Sequence, residues 1–310
     1  MRVLFWGTPD FATPALRALL GEGFDVVAVV TQPDRAVGRS RTTLQAPPVK
    51  AVAREDRITV LQPDKPRGPQ FMEQIRALGP DISVVVAYGH ILPREVIDLP
   101  THGTINIHAS LLPLLRGAAP IQAAIREGHV QTGVSIMRMV PQLDAGPVIL
   151  QLATPITPDH TYGELALTLS ELGATALIEA LALIELGKAR EEPQDESRAT
   201  YASKIDRDTT RVSWTADAGT VSRMIRAYDP RPGAFAQLEG ADVKLFGARV
   251  APHDGRSEPG DILATGGDGL LVACGEGAVR IQHVQPAGKR RMSADEWLRG
   301  RGVAAGQRFS

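Results

Sequence analysis

DISVVVA, residues 81 to 87, is the stretch on which the fold turns. Four of its seven positions are Ile or Val, three of them consecutive, so a strand built from it presents apolar side chains to both faces of a sheet, and both faces must be covered. DVVAVVT, residues 25 to 31, repeats the pattern, and VLFW, residues 3 to 6, is a shorter version that ends at Gly7. Between these runs the period changes. Phe11, Ala15, Leu16, Leu19 and Leu20 recur near helical spacing, and the stretch from Phe71 to Leu78 is also helical in pattern. Buried strands that alternate with helices predict a doubly wound α/β unit around a mostly parallel sheet.

Further along the chain, Thr161 to Leu186 reads as one strongly helical run, with a kink expected at Gly173. The next segment, KAREEPQDES from Lys188 to Ser197, is charged and contains proline, which is the composition of a boundary linker. Beyond it the chain shortens into β-type runs separated by glycine: 233–238, 243–250, 261–265, 270–273 and 278–284, with helical patches near 216–227 and 293–299. That spacing predicts a small β-barrel. The expected division is a first domain over 1–187, a linker over 188–204 and a second domain over 205–310.

Composition narrows the class. With 310 residues and 43% hydrophobic content, the chain can bury two cores, which argues against disorder. From Lys204 onward there are 16 Lys and Arg against 13 Asp and Glu, leaving 18 against 22 before it, so the C-terminal part is mildly basic. Solvated faces produce differences of this size without any partner. The single Cys274 lies in the apolar run LLVACG and reads as a small packing residue; it excludes an internal disulfide and a cysteine-rich metal site. No signal-like N-terminus is seen, and no stretch reads as the roughly 20 apolar residues of a membrane span. The expectation is a cytoplasmic protein, a monomer, with no membrane partner.

The absent motifs matter as much. GTPDFATP after the first strand lacks GxGxxG, and neither GxxxxGK[ST] nor HExxH occurs, so nicotinamide, nucleoside triphosphate and zinc-protease chemistries lose their sequence support. No metal is expected. Without GxSxG there is no sign of an acyl-enzyme serine.

What remains is GTINIHASLLPLLRGAAPIQAAI, from Gly103, with MVPQLDAG following it, from Met139 to Gly146. Ile105 to His108 alternates apolar and polar, so a strand there puts Asn106 and His108 on one side. An amide can donate to a developing oxyanion, an imidazole titrates near neutrality, and Asp144 can orient it. Singly, each residue has a plain explanation: a core histidine, a strand-end asparagine, an aspartate in a turn. Together they outline direct acyl transfer between two bound substrates. A second long feature is the Gln32 to Pro48 loop, with Arg35, Arg39 and Arg41; on composition it is equally a surface connection or a segment lying along phosphates.

These motifs resemble the methionyl-tRNA formyltransferase family, within the wider folate-dependent formyltransferases. The likeness runs nearly full length through FWGTPDFA (5–12), TQPDR (31–35), VVVAYGHILP (84–93), NIHASLLPLLRGAAPIQ (106–122), LDAG (143–146), TYASKI (200–205) and QPAGKRRM (285–292). It departs from the family at Leu114-Leu115, where a basic or aromatic residue is common, and in a lysine-poor loop. The resemblance implies a Rossmann-like N-terminal domain and a C-terminal barrel similar to an OB fold. It also implies a catalytic trio of Asn106, His108 and Asp144. The formyl donor, 10-formyltetrahydrofolate, would be held by Val86, Tyr88, Gly89, Ile91, Leu92, Ser110, Leu111, Leu112 and Pro113. Initiator methionyl-tRNA would meet Arg35, Arg39 and Arg41 in the loop and Lys289, Arg290 and Arg291 in the basic C-terminal domain. A related enzyme that formylates an amino sugar nucleotide would share the trio; a vestigial RNA-binding protein would not need it.

Overall fold

A computed structural model describes residues 1–37, 43–253, 256–266, 269–300 and 302–310. The first compact unit gathers residues 1–117, 132–154 and 166–201, and the second gathers 118–131, 155–165 and 202–310.

In the first unit, the alternating pattern becomes β1 (Arg2–Gly7), α1 (Thr13–Gly21), β2 (Asp25–Val30), the short β3 (Arg35–Val37) and β4 (Thr43–Gln45), α2 (Pro48–Glu55), β5 (Val60–Leu61), α3 (Pro69–Ala77), β6 (Ile82–Val86), α4 (Arg94–Ile97), β7 (Thr104–His108) and β8 (Arg116–Gly117). It is completed by β9 (Gln131–Arg138), β10 (Val148–Pro155) and much of α6 (Tyr162–Glu185), which follows α5 (Pro120–Arg126) in the chain. Seven strands lie in the order β10-β9-β7-β6-β1-β2-β5. The central pairs β6 with β7, β6 with β1, β1 with β2 and β2 with β5 are parallel, while β7 with β9 is antiparallel.

The two-faced burial expected of the strands is seen in β1. Leu4 and Trp6 join a core with Ala28, Val30, Phe71, Met72, Ile75, Val85 and Tyr88, while Val3 and Phe5, 0% exposed, fill the opposite side. Trp6 keeps its indole N–H satisfied by donating to Ser83 Oγ at 3.2 Å, which permits so large a ring to be fully buried. Gly7 ends β1 where a side chain would not fit, since a Cβ there would stand 2.8 Å from that of Ala12.

Helix α6 runs unbroken past Gly173. The glycine serves close approach: a Cβ on it would meet Ile107 Cγ2 at 2.9 Å. The helix also corrects the reading that no stretch is long and apolar enough for a membrane span. By length and composition alone its apolar window, of mean hydropathy 1.6, suffices to cross a bilayer. Half of that window is buried inside the protein, through residues such as Leu169, Leu177 and Leu181, each 0% exposed. Its interspersed Thr, Ser, Glu and Gly residues break up the apolar run when the sequence is read linearly.

β11 (Tyr201–Ala202) falls at the boundary; the second unit continues with α7 (Ala218–Ala227), β12 (Ala234–Leu238), β13 (Ala241–Ala251), β14 (Ile262–Gly266), β15 (Gly269–Ala273), β16 (Ala278–Pro286), β17 (Met292–Ser293) and α8 (Ala294–Arg299). The antiparallel sheet has the order β12-β13-β16-β15-β14, with β17 on β16. The five strand runs expected from the sequence are these five, to within a few residues at each end. Closure comes from the last residues. Ser310 exchanges both backbone hydrogen bonds with Gln237 beside β12, and Gln307 O accepts from Ile262 N of β14 at 2.8 Å, so the tail joins the two edge strands. Inside lie Trp214, Leu245, Ile281 and Phe309, the Trp214 and Phe309 rings stacked 5.6 Å apart. Cys274 is buried here, and burial first, then the charge of Asp217, pushes its thiol up to about 12, consistent with a packing role.

Candidate active site

β6 and β7 run parallel with Val85 opposite Asn106, so the loops that leave their carboxyl ends emerge side by side. In an open α/β sheet this is the edge where ligands bind. β7 carries Ile105 and Ile107 toward the core and leaves Asn106 and His108 on the other side, as alternation requires. Asn106 is half-buried, and among the described residues its amide has no hydrogen-bond partner.

His108 is 5% exposed, with a polar neighbour at each ring nitrogen. Nε2 lies 2.9 Å from Leu115 O, a carbonyl that can only accept, so Nε2 carries a proton. Nδ1 faces Asp144 Oδ2 at 3.6 Å, longer than a hydrogen bond. The same Asp144 oxygen accepts from Gly117 N at 2.7 Å, which fixes the carboxylate beside the ring. Asn106, His108 and Asp144, 38 residues apart in sequence at the extremes, are thus placed at one edge of the sheet, His108 and Asp144 in contact.

Ser135 stands opposite His108 in the β7–β9 ladder and organises the SLLP loop. It donates to Ser110 O at 2.6 Å and accepts from Leu112 N at 3.0 Å and Gln151 Nε2 at 2.8 Å. Gln151 also donates to Leu112 O at 2.9 Å. Neither residue was singled out in the sequence: a serine and a glutamine on strands carry no motif. Of the residues expected around the formyl donor, Val86, Leu92, Ser110 and Leu112 are buried, Leu111 and Pro113 are half-buried, and Ile91 is 87% exposed. Gly89 has a φ of 93°, open to glycine at no steric cost. The Tyr88 ring packs edge-on against Trp6, and burial pushes its hydroxyl up to about 12. Its backbone O accepts from Thr8 Oγ1 and Gln32 Nε2, tying this loop to the first βα turn and to the root of the Arg35 segment.

That root is itself tied down. Lys50 Nζ donates to both oxygens of Asp34 (2.6 and 2.8 Å) and to Gln62 Oε1 (2.6 Å). Gln62 first, then Lys50, holds the Asp34 carboxyl below its ordinary range. Arg35 is exposed on β3, which pairs antiparallel with β4 inside what the sequence suggested was plain loop. Arg39 and Arg41 lie outside the described residues.

Within the second unit, Arg290 pairs with Glu296, and Arg291 is committed to Asp229 at 2.8 Å with its guanidinium 4.2 Å above the Phe246 ring. Lys289 is exposed without a side-chain partner among the described residues. A cavity of about 700 Å³ opens nearby, lined by Tyr162, Ile205, Pro230, Arg231, Pro232, Lys244 and Gln285. Lys244 donates to Pro232 O at 2.6 Å, and Arg231 has no ion-pair partner among the described residues. Among the described residues no carboxylate lines this cavity. Sequence reading missed Arg231 and Lys244 because each is a single cation between apolar neighbours, whereas QPAGKRRM stands out as a run. Among the described residues no group of three or more His, Cys, Asp or Glu side chains is placed to hold a metal ion.

An imidazole beside a carboxylate, next to an amide free to donate, at the carboxyl edge of a doubly wound sheet, is an arrangement that can stabilise negative charge developing on a reacting carbonyl. Comparison with known proteins gives the family. Residues 1–181 match the family model described as formyl transferase, and residues 204–302 match that of the formyl transferase C-terminal domain. A methionyl-tRNA formyltransferase of Nitrosomonas europaea is 44% identical over 100% of this chain and 96% of its own length, and one of Magnetococcus marinus is 47% identical over 99% and 98%. Among solved structures, HypX from Aquifex aeolicus in complex with tetrahydrofolic acid aligns over 96% of this chain and 47% of its own with a TM-score of 0.68 at 23% identity. The methionyl-tRNA formyltransferase from Clostridium thermocellum aligns over 91% and 98% with a TM-score of 0.57 at 13% identity, which speaks to the fold alone. The chain belongs to the formyl transferase family, among the methionyl-tRNA formyltransferases.

Proposed function

We propose that the protein transfers the formyl group of 10-formyltetrahydrofolate to the amino group of methionyl initiator tRNA in the cytoplasm, and so serves translation initiation and one-carbon metabolism. The observation that carries this reading is the His108–Asp144 contact beside the unpartnered Asn106 amide. Asn106 donates to the formyl oxygen as it gains negative charge. His108 acts in its protonated form: Nε2–H stays anchored on Leu115 O, and Nδ1–H, which makes no full hydrogen bond to Asp144, donates to the same oxyanion. The methionyl nitrogen bonds to the formyl carbon and the bond from that carbon to the folate nitrogen breaks. The methionyl amine attacks as the free base; Asp144 takes up the proton its nitrogen must lose once the new bond has formed, and the departing folate nitrogen is protonated in turn. The loops at the ends of β6 and β7 hold the folate.

The tRNA meets cations in both units. In the first, Arg35, Arg39 and Arg41 approach the acceptor end; in the second, Arg231, Lys244 and Lys289 meet phosphates, since Arg290 and Arg291 are already engaged by carboxylates. In this reading the catalytic domain is the one expected over 1–187, and the domain expected over 205–310 adds a second RNA-binding surface.

The test is a transfer assay with 10-formyltetrahydrofolate and charged initiator or elongator tRNA. Formyl transfer that prefers the initiator is the expected result. Transfer to an amino sugar nucleotide with none to tRNA would replace this acceptor by the other, and no transfer to either would end the reading.

A further inference from the structure

The segment from Glu191 to Thr200, whose composition reads as a linker, is hydrogen-bonded to the backbone on both sides of His108. Thr200 Oγ1 accepts from Leu115 N at 2.9 Å, Thr200 O accepts from Arg116 N at 2.8 Å, and Thr200 N donates to Pro113 O at 3.3 Å. Gln194 Nε2 donates to Asp144 O at 2.8 Å and to Gly146 O at 2.7 Å, while its Oε1 accepts from Arg116 Nε (3.0 Å) and Nη2 (2.8 Å). Glu196 completes the Arg116 guanidinium at 2.9 and 2.7 Å, and that side chain is 2% exposed. Glu192 and Val148 exchange both backbone hydrogen bonds at 2.8 Å, and Glu191 pairs with Arg138 at 2.6 Å.

These contacts fall where the backbone needs support. Leu115 and Asp144, the two residues that hold the His108 ring, both sit in the left-handed region, with φ of 59° and 48°. Leucine in particular does not adopt that conformation unless its surroundings impose it. Thr200 grips the first and Gln194 the second. The Gln194 amide has one permitted orientation: reversed, it would set two N–H donors against a guanidinium and its oxygen against two carbonyls. Both anchors of the imidazole are therefore set by one strap.

We infer that Gln194 and Thr200 are positioning residues for formyl transfer, holding the two left-handed turns that present Leu115 O and Asp144 Oδ2 to His108. The inference rests on the catalytic assignment of His108 and Asp144 made above. Displacing a reacting group by about 1 Å costs as much as ~100-fold in rate, so Gln194→Met and Thr200→Val, near in shape but without the hydrogen bonds, should each lower kcat by about 10- to 100-fold. KM for both substrates should stay within about threefold, the pH profile of kcat should be displaced, and Thr200→Ser should restore activity. The experiment uses the full chain with 10-formyltetrahydrofolate and charged tRNA, with thermal melts on every variant. Values of kcat within about twofold of the original and superimposable pH profiles would overturn the inference; so would a kcat loss that tracks a falling melting temperature with an unmoved profile. If Gln194→Met does not fold, the Val and Ser changes at Thr200 decide. Active His108→Ala and Asp144→Asn enzymes would instead break the catalytic assignment itself. Inactive ones beside normal Gln194 and Thr200 variants would break only the strap.

Discussion

In the first unit the half-buried and buried cations Lys50, Arg116 and Arg138 all end on carboxylates, whereas in the second unit Arg231 and Lys289 have no such partner among the described residues. The inward cations shape loops: Lys50 fixes the root of the Arg35 segment through Asp34, and Arg116 fixes Gln194. The outward ones are available to an anion. Net charge does not separate these cases, because 16 basic against 13 acidic residues from Lys204 onward says nothing about which ones are already paired. Pairing is a tertiary property, and it turns the conspicuous QPAGKRRM run into a mixture of structural and available groups.

This contrast is most exposed to disproof at the chemical end of the first unit. Asn106→Ala and His108→Ala should each lower kcat by ~10²- to 10³-fold while leaving folate binding, read by fluorescence titration, close to normal. Activity near the original in either variant would remove the site from the account. The next effect is in the second unit. The Arg231→Ala, Lys244→Ala double variant should bind charged tRNA more weakly, and the slope of log K against log salt should flatten by about 1 for each phosphate no longer neutralised. Formyl-donor binding should not change. An unaltered slope would mean that the cavity near Pro230 is not an RNA surface.

Arg290→Ala is the matched control for a cation already engaged. Its partner Glu296 is exposed, so stability should change by no more than about 1 kcal/mol in a denaturant melt, and the salt slope should stay put. A drop as large as that of the double variant would restore the sequence-based assignment of Arg290. The smallest effect concerns pH. Asp34 is held low by Gln62 and Lys50, and Glu196 by Arg116. A carboxyl whose folded-state value lies below its unfolded one adds stability above the unfolded value, and loses it as pH falls through the folded one. Melting temperature should therefore decline on the acid side of about pH 4, where free carboxyls titrate, and Glu196→Gln should make that decline slightly shallower. An unchanged acid limb would mean that the Arg116–Glu196 pair, whose acid is largely exposed, is screened to insignificance.

Much of the architecture was legible from local pattern. DISVVVA and DVVAVVT are covered on both faces because seven-residue runs of that kind offer no polar side to water, and the five glycine-bounded runs of the second half became β12 to β16. Asn106 and His108 share a face because alternation is a property of any strand, which needs only correct assignment of β7. Gly173 shows what local pattern leaves out. Helix propensity treats the residue as a weak point, while the fold uses its missing side chain to seat α6 against Ile107.

Near neighbours along the chain thus suffice for the strand and helix periods, for the missing cofactor motifs, and for the amide and imidazole two residues apart. Residues far apart in the chain had to be brought together by folding before the rest could be read. Asp144 reaches His108 across 36 positions, Gln194 reaches Asp144 across 50, and the last few residues close a barrel begun at Ala234. Hydrogen bonds and ion pairs of that span leave no periodic trace, because each is a single contact whose partner is set by how the whole chain packs.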